Sequence, residues 1–244
     1  MEMSPLLHFA EHTLQEAALV FMAVVYTMRI LWLLKFPAGK ERQAATGDST
    51  KRKGILYSWA IIAMPWAMES TRTRFFMYLQ FAIFHIGVTA AIVLSFIIPY
   101  GPGLLEGPGV VLGFQVLIFA ACAVGVTRII RRISDPYMRA ISSPDDYFSL
   151  ILLTVWFAFA GLAAPNRPEL GETYLLVYFF LTAFFLMYVP FSKISHYLYY
   201  PFTRFYFGRS MGHRGVFPIP ANVKPTNNNA TAPVGAQATA SNVN

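Results

Sequence analysis

The stretch FAIFHIGVTAAIVLSF, residues 81–96, is apolar enough to lie in a membrane and yet contains one imidazole, His85. Similar apolar runs recur along the chain, each with about the 20 residues that a helix needs to cross a ~30 Å hydrocarbon layer. Of the 244 residues, 56% are hydrophobic and 13% are charged. Soluble domains carry roughly 25% charged residues. The sequence therefore predicts an all-α, multi-pass membrane protein.

Five membrane-spanning helices are predicted, at about residues 14–34, 75–99, 110–129, 146–164 and 173–197. Between the first two lies ILYSWAIIAMPWAMES, residues 55–70, which is short, contains Pro65 and is interpreted as an interfacial or re-entrant helix. Because the first residues lack a basic n-region and a small-residue cleavage site, the first apolar run is expected to be retained as a helix rather than removed as a signal peptide.

The basic residues predict the orientation of the bundle, because cytoplasmic loops are enriched in Lys and Arg. The loops between the first and second and between the third and fourth helices are basic, as is the C-terminal segment, whereas the other two loops hold only Arg167. The N-terminus is thus expected outside and the C-terminus in the cytoplasm. The net charge of +7 then reflects topology and requires no nucleic acid. Residues 1–210 form the predicted transmembrane domain, and residues 211–244 a cytoplasmic low-complexity tail.

Two histidines, His85 and His196, fall within the predicted helices, where polar side chains are costly and mark function. A neutral imidazole is a good axial ligand for haem iron, and two imidazoles on different helices can hold a macrocycle between them. Gly87, Gly113 and Gly125 could leave room for such a group. The alternative for His85 is a hydrogen bond to a neighbouring helix.

The remaining candidates are weaker. His8 and His12 share one face of a helical turn and could bind a metal, but the sequence offers no third ligand, and an interfacial amphipathic start is the alternative. His213 is expected to be solvated or to face a partner. Cys122 is the single cysteine, so no disulfide or thiolate metal site is expected.

No nucleophile–base pair or phosphate loop is found along the chain. Asp145 and Asp146 follow Ser143 and Pro144, which is the pattern of a helix start rather than of a catalytic pair. No catalytic residue is therefore predicted from these patterns.

Three segments resemble one family. FHIGV lies in the second helix, RRISDPYMRAISSPDDYFSLILL leads into the fourth, and PFSKISHYLYYPFTRFYFGR ends the fifth. Over about residues 10–210 the chain resembles the cytochrome b (gamma) subunit of respiratory nitrate reductase. More broadly, it resembles relatives that accompany heterodisulfide-reductase-like Fe–S subunits.

The resemblance implies a haem count and a ligand pair. Nitrate reductase gamma subunits hold two b haems with four histidines, and His85 and His196 match the pair that binds the haem nearer the Fe–S subunit. Ser95 and Tyr178 stand where the second pair would be. The resemblance therefore implies a single haem b whose iron is ligated by His85 and His196.

The function implied is electron transfer between membrane quinone or quinol and a cytoplasmic Fe–S subunit, in a prokaryotic inner membrane. A periplasmic redox partner is a further option, and no quinone site is predicted. A haem-free membrane anchor for a soluble redox enzyme is the main alternative. A small transporter with His85 as a proton relay is a third, although the internal repeats and the Gly/Pro-interrupted helix pairs of transporters are not found.

The depths of the two histidines raise a geometric question. His85 lies about 16 Å along its helix from Arg74, whereas His196 is close to the inner end of the fifth predicted helix. The two can reach one depth only if the second helix begins below the membrane surface or if Pro190 shifts the fifth.

Overall fold

The computed structural model describes residues 4–36, 39, 41–45, 50–64, 66–67 and 69–219. Within these ranges the regular structure is helical and no strand occurs. The α-helices are α1 (Pro5–Leu34), α2 (Lys51–Ala60), α3 (Glu69–Thr73), α4 (Phe75–Tyr100), α5 (Pro108–Ser134), α6 (Pro136–Ala140), α7 (Pro144–Ala163), α8 (Thr173–Tyr188) and α9 (His196–His213).

Five of these helices, α1, α4, α5, α7 and α8, are long and apolar enough to cross a membrane, and the apolar stretch of α8 continues to Phe191. The prediction of a helical fold with five helices able to cross a membrane is therefore confirmed for the described residues. We call the end where α4 and α7 begin the basic end of the bundle, because the segments there carry most of the Lys and Arg residues. The other end is called the opposite end.

The first helix begins at Pro5 rather than at residue 14 as predicted, and it passes through a π turn at Phe9–Leu14. The Ser4 side chain caps the helix by accepting a hydrogen bond from the Leu7 N–H at 3.2 Å. The Ser4 N–H donates to Glu172 Oε1 at 2.7 Å, which ties the start of α1 to the start of α8. The start signal was Ser4–Pro5, which sequence reasoning overlooked.

The spanning helices pack in the order α4, α5, α7, α8, α1, and α1 meets α4 around the π turn. There Gln15 Nε2 donates to the Ser95 carbonyl at 3.0 Å. A Cβ on Gly87 would lie 2.2 Å from the Ala121 Cβ, and one on Gly125 would lie 2.4 Å from Thr154 Oγ1. The interpretation of Gly87 and Gly125 as room for a macrocycle is therefore wrong, because both let α5 approach its neighbours. Gly113 adjoins open space.

The fifth apolar segment does not run as one helix to residue 197. Residues Val189–Phe191 form a 3₁₀ turn, Ser192 is extended (φ −101°, ψ 171°), and a second turn precedes α9. Pro190 supplies no N–H to a helix. The Ser192 hydroxyl accepts from the Ile194 N–H at 3.1 Å and so restarts the chain in a new direction. His196 is consequently the first residue of α9.

At the basic end, α2 packs along α9, and we call these two helices, which are far apart in the sequence, the basic-end helix pair. A Cβ on Gly208 would lie 2.6 Å from the Gly54 carbonyl oxygen, so the two backbones touch. Trp59 Nε1 donates to the Pro201 carbonyl at 3.0 Å, and Arg204 Nε donates to the Ser58 carbonyl at 2.9 Å. The basic-end helix pair is thus held by backbone contact and by hydrogen bonds to main-chain oxygens.

The observed bounds of the basic-end helix pair differ from two sequence predictions. The helix expected over 55–70 runs over Lys51–Ala60 with a 3₁₀ turn at Ile61–Ala63, and Pro65 lies outside the described residues. The boundary expected after residue 210 falls inside α9, which ends at His213. Most of the predicted tail, residues 220–244, lies outside the described residues.

Residue Glu41 fastens the chain before α2 to the end of α9. Its carboxylate accepts from the Ser210 hydroxyl and from Arg214 Nε at 3.2 Å. It also accepts from the Gln43 N–H at 3.3 Å. These hydrogen bonds, with that of Ser210 the largest cause, lower the pKa of Glu41 from 4.5 to about 2. Since the folded pKa is depressed, the fastening is fully present above pH 4.5 and is lost as the pH falls toward 2.

We expect hydrogen exchange at residues 210–214, corrected for intrinsic rates, to lose protection as the pH falls from 4.5 toward 2. In Glu41→Gln this pH-dependent part should be absent, because the amide does not titrate. Identical pH profiles for the two proteins would contradict the assignment.

Asp146 at the start of α7 holds two segments. It completes a capping box with Ser143, accepting from the Ser143 N–H at 2.8 Å. It also pairs with the Lys193 amine at 2.8 Å. Asp145 accepts from the Lys193 N–H at 3.2 Å and from the Tyr188 hydroxyl. The prediction that both acids belong to a helix start is confirmed, and they also fix the turn before His196.

We expect Asp146→Ala to lower the free energy of unfolding by about 1–2 kcal/mol, the usual cost of losing an N-terminal cap. Thermal unfolding of the detergent-solubilised protein measures the change. Glu106→Ala is the matched control, because the Glu106 carboxylate makes no hydrogen bond or ion pair to the residues that the structure describes. Equal stability of the two variants would contradict the prediction.

Candidate functional site

The rings of His85 and His196 lie next to each other. Their centroids are 6.3 Å apart and their planes are inclined by 78°. His85 comes from the middle of α4, and His196 comes from the first turn of α9. The break after Pro190 places His196 on a separate helix, and this answers how two residues at different apparent depths can meet.

The hydrogen bonds of the two imidazoles are alike. His85 Nδ1 lies 2.8 Å from the Phe81 carbonyl oxygen, and His196 Nδ1 lies 3.1 Å from the Lys193 carbonyl oxygen. A carbonyl oxygen only accepts, so each neutral ring carries its proton on Nδ1 and leaves a lone pair on Nε2. Metal-ligating histidines almost always donate their other ring N–H in this way. His85 therefore bonds to its own helix, and the alternative bond to a neighbouring helix is not observed.

The centroid separation matches that of two imidazoles on opposite sides of one metal ion. Two metal–nitrogen bonds of about 2 Å, with about 1 Å from each nitrogen to its ring centre, add up to about 6 Å. Both side chains are exposed in this chain, so open space adjoins both rings. In the described ranges, no group of three or more His, Cys, Asp and Glu side chains is arranged to hold a metal ion. Two imidazoles alone suit an ion that brings its other ligands with it, as a haem iron does.

His196 is held on two sides. On one side, the Lys193 amine and N–H are bound by Asp146 and Asp145. On the other side, the hydroxyls of Tyr197 and Tyr26 are 2.5 Å apart, and Arg29 donates to the Tyr199 hydroxyl at 3.2 Å. These contacts join the start of α9 to α7 and α1. Sequence reasoning missed them because they link residues up to 171 positions apart.

The positions matched to the second haem of nitrate reductase gamma subunits lie in packed core. Tyr178 is fully buried, and its hydroxyl donates to the Ala91 carbonyl of α4 at 2.5 Å. The rings of Tyr178 and Trp156 are stacked at 6.0 Å. Ser95 is also buried, and its hydroxyl donates to the Ile92 carbonyl at 2.7 Å. Both positions are thus enclosed by packed core residues.

The other histidines lie apart from this pair. His8 and His12 share one helix face, as predicted, with ring centroids 4.8 Å apart, and the His12 ring contacts Tyr100 at 5.3 Å. They lie at the opposite end, without a third ligand among the described residues. His213 is half-buried, and its Nε2 lies 2.8 Å from the Gln43 carbonyl oxygen, to which it donates. His213 thus forms an intramolecular hydrogen bond, and its expected solvation or contact with a partner stays a prediction.

No family model, curated protein or solved structure matches this chain. Its class follows from its own residues: the part of the chain that the structure describes is helical and contains five helices long and apolar enough to cross a membrane. Its distinguishing feature is a pair of adjacent imidazoles with both Nε2 atoms free to bind.

Proposed function

We propose that this chain is the membrane cytochrome b subunit of a respiratory oxidoreductase complex and binds one haem b through His85 and His196. The observation that supports the proposal most directly is the 6.3 Å separation of two imidazoles whose Nδ1 protons are both held by carbonyl oxygens. A haem b bound there supplies one-electron redox chemistry.

The residues of the chain hold and tune this site. The carbonyls of Phe81 and Lys193 fix the tautomer and orientation of the two rings and raise the basicity of their Nε2 atoms. Phe81 and Phe84 lie beside His85, with ring centroids at 4.2 and 6.1 Å. Such apolar neighbours lower the polarity around the His85 ring, and local polarity is one of the levers that set a haem potential.

Electron transfer is proposed to run between membrane quinone or quinol and an Fe–S subunit at the basic end. Exposed cations of the basic-end helix pair lie on the surface there, among them Lys51, Arg52 and Arg209. Their charge suits an acidic partner. If the Lys and Arg distribution sets the topology, this end faces the cytoplasm of a prokaryotic cell and the N-terminus faces outside.

A haem-free membrane anchor for a soluble redox enzyme is the second candidate. It is favoured by the basic-end helix pair, because the hydrogen bonds between its two helices involve neither imidazole. The two functions differ in what the histidines do. An anchor retains its partner when both are replaced and is colourless throughout.

The proposed function is tested by a pyridine haemochrome assay on the full chain purified from membranes. We expect one b haem per chain and a reduced spectrum of a six-coordinate, low-spin haem. A protein that contains no haem after expression with a sufficient haem supply would contradict the proposal. Two haems per chain would contradict the assignment of a single site.

A further inference from the structure

A cavity of about 460 Å³ opens at the basic end between α4, α5, α7 and the turn before α9. Its size is within the range of ~300–1,000 Å³ that is common for ligand sites. Five cationic side chains line it, and these are Arg74, Arg128, Arg131, Arg132 and Lys193. A cavity lined by so many cations at the end of an apolar bundle is electrostatically suited to bind an anion.

The two acids of the cavity do not neutralise all five cations. Asp146 pairs with Lys193 at 2.8 Å and with Arg132 at 3.8 Å. Asp145 accepts from the Lys193 N–H and the Tyr188 hydroxyl. Within the described ranges, Arg74, Arg128 and Arg131 form no ion pair with a carboxylate. Three guanidinium groups are thus left without a counter-charge of their own.

Arg128 gives a second, independent sign of a ligand. Its Nε is buried and has no hydrogen-bond acceptor among the residues that the structure describes. Its Cζ lies 5.7 Å from the centre of the Phe84 ring, which holds the guanidinium at the cavity wall. Among the described residues, Arg131 donates only to the weakly accepting Met77 Sδ, at 3.0 Å. A buried donor without an acceptor costs free energy, and an anion that draws the Arg128 guanidinium toward the cavity would recover part of that cost.

The rest of the lining is mainly apolar, with Gln80, Ser149 and His196 as its polar members, and its apolar residues are Met77, Phe84, Met138, Leu150, Leu153 and Ile194. A small inorganic anion would leave this wall unused, whereas an amphiphile uses both parts of the cavity. We propose that the cavity binds the headgroup of an anionic phospholipid. The phosphate accepts hydrogen bonds from Arg128, Arg131 and Arg74, and the glycerol and first acyl carbons contact the apolar wall.

This site does not depend on the haem proposal. Phe84 lines the cavity, whereas His85, the next residue, points about 100° further around α4 toward His196. His196 also borders the cavity, but the proposed phosphate ligands are the three arginines. The lipid site can therefore be present in a haem-free protein, and its failure would leave the haem ligands untouched.

The experiment measures phosphatidylglycerol binding to the delipidated full chain in phosphatidylcholine nanodiscs, together with native mass spectrometry of the protein in detergent. We expect one tightly retained phosphatidylglycerol per chain. In R128Q/R131Q the affinity should fall roughly thirtyfold, because two cations near a membrane surface are removed. R139Q/R209Q, which removes two arginines outside the cavity, is the matched control and should keep the affinity.

Each other result overturns the proposal. Equal affinities in R128Q/R131Q and R139Q/R209Q would show that only net charge matters. Displacement of the lipid by millimolar inorganic phosphate would assign the cavity to a free anion. Loss of the lipid when haem is loaded would assign the arginines to the carboxylates of the macrocycle. If R128Q/R131Q fails to fold, R131Q alone decides, since Arg131 lies exposed at the rim, and unchanged affinity in R131Q contradicts the site.

Discussion

The double variant His85→Ala, His196→Ala is expected to contain no haem b, against one haem per chain in the parent protein. Each imidazole supplies one of two axial ligands, and no third histidine lies near the pair: His8 and His12 are at the opposite end and His213 is bound to Gln43. A pyridine haemochrome assay on equal amounts of purified protein measures the loss. Haem that persists in the double variant would refute the assignment of both ligands.

Loss of haem in this variant should not be a folding defect. Each imidazole makes its hydrogen bond to a carbonyl of its own local turn, and both side chains are exposed. Alanine is a better helix former than histidine. We therefore expect the variant without haem to show the same helical content as the parent without haem. Addition of imidazole to His85→Ala should restore part of the haem absorption, which a structural role for His85 would not produce.

The matched control is His8→Ala, His12→Ala. These two residues repeat the chemistry and the number of the substitutions but lie apart from the proposed site. Haem content should stay at one per chain in this control. A fall in the control equal to that in the double variant would mean that the assay reports general damage, and it would contradict the assignment of His85 and His196.

The spanning helices could be predicted from the sequence because their signal is local. Length and lack of charge identify α4, α5, α7 and α8 to within a few residues of their observed starts. The end of α8 was predicted nine residues too late, at residue 197 instead of Tyr188, although residues 192–197 are less apolar than the helix before them. Pro190 and Ser192 carried the signal for the break, but its consequence for His196 depends on Lys193 and the acids of α7.

The candidate site could be predicted only in part. A polar ring in an apolar run marks His85 as functional, but its distance from His196 depends on contacts between residues far apart in the chain. The glycines illustrate the same limit. Gly87 and Gly125 were interpreted as space, and the neighbouring helices fill it. A sequence shows that a side chain is missing but not which surface needs its absence.

Gly208→Leu is expected to separate α9 from α2 and to lower stability by about 3 kcal/mol or more. Overpacking costs 1–3 kcal/mol where side chains can move aside. Here a Cβ would lie 2.6 Å from the Gly54 carbonyl oxygen and 2.7 Å from the Ile55 Cα. These are backbone atoms, so the helices themselves have to move. Thermal unfolding and limited proteolysis of residues 50–60 measure the effect.

Gly113→Leu is the matched control, because a Cβ at Gly113 meets nothing within 4 Å and leucine favours a helix more than glycine does. Comparable destabilisation of both variants would mean that the close approach of α2 and α9 does not decide the outcome. The basic-end helix pair is also connected to the proposed haem site, since α9 begins with His196. If α2 helps to hold α9 in place, Gly208→Leu lowers haem content although neither ligand is changed. If the α7 acids and Tyr26 suffice to hold α9, haem content stays at one per chain while stability falls. The ratio of the two losses therefore measures how far the basic-end helix pair supports the ligand.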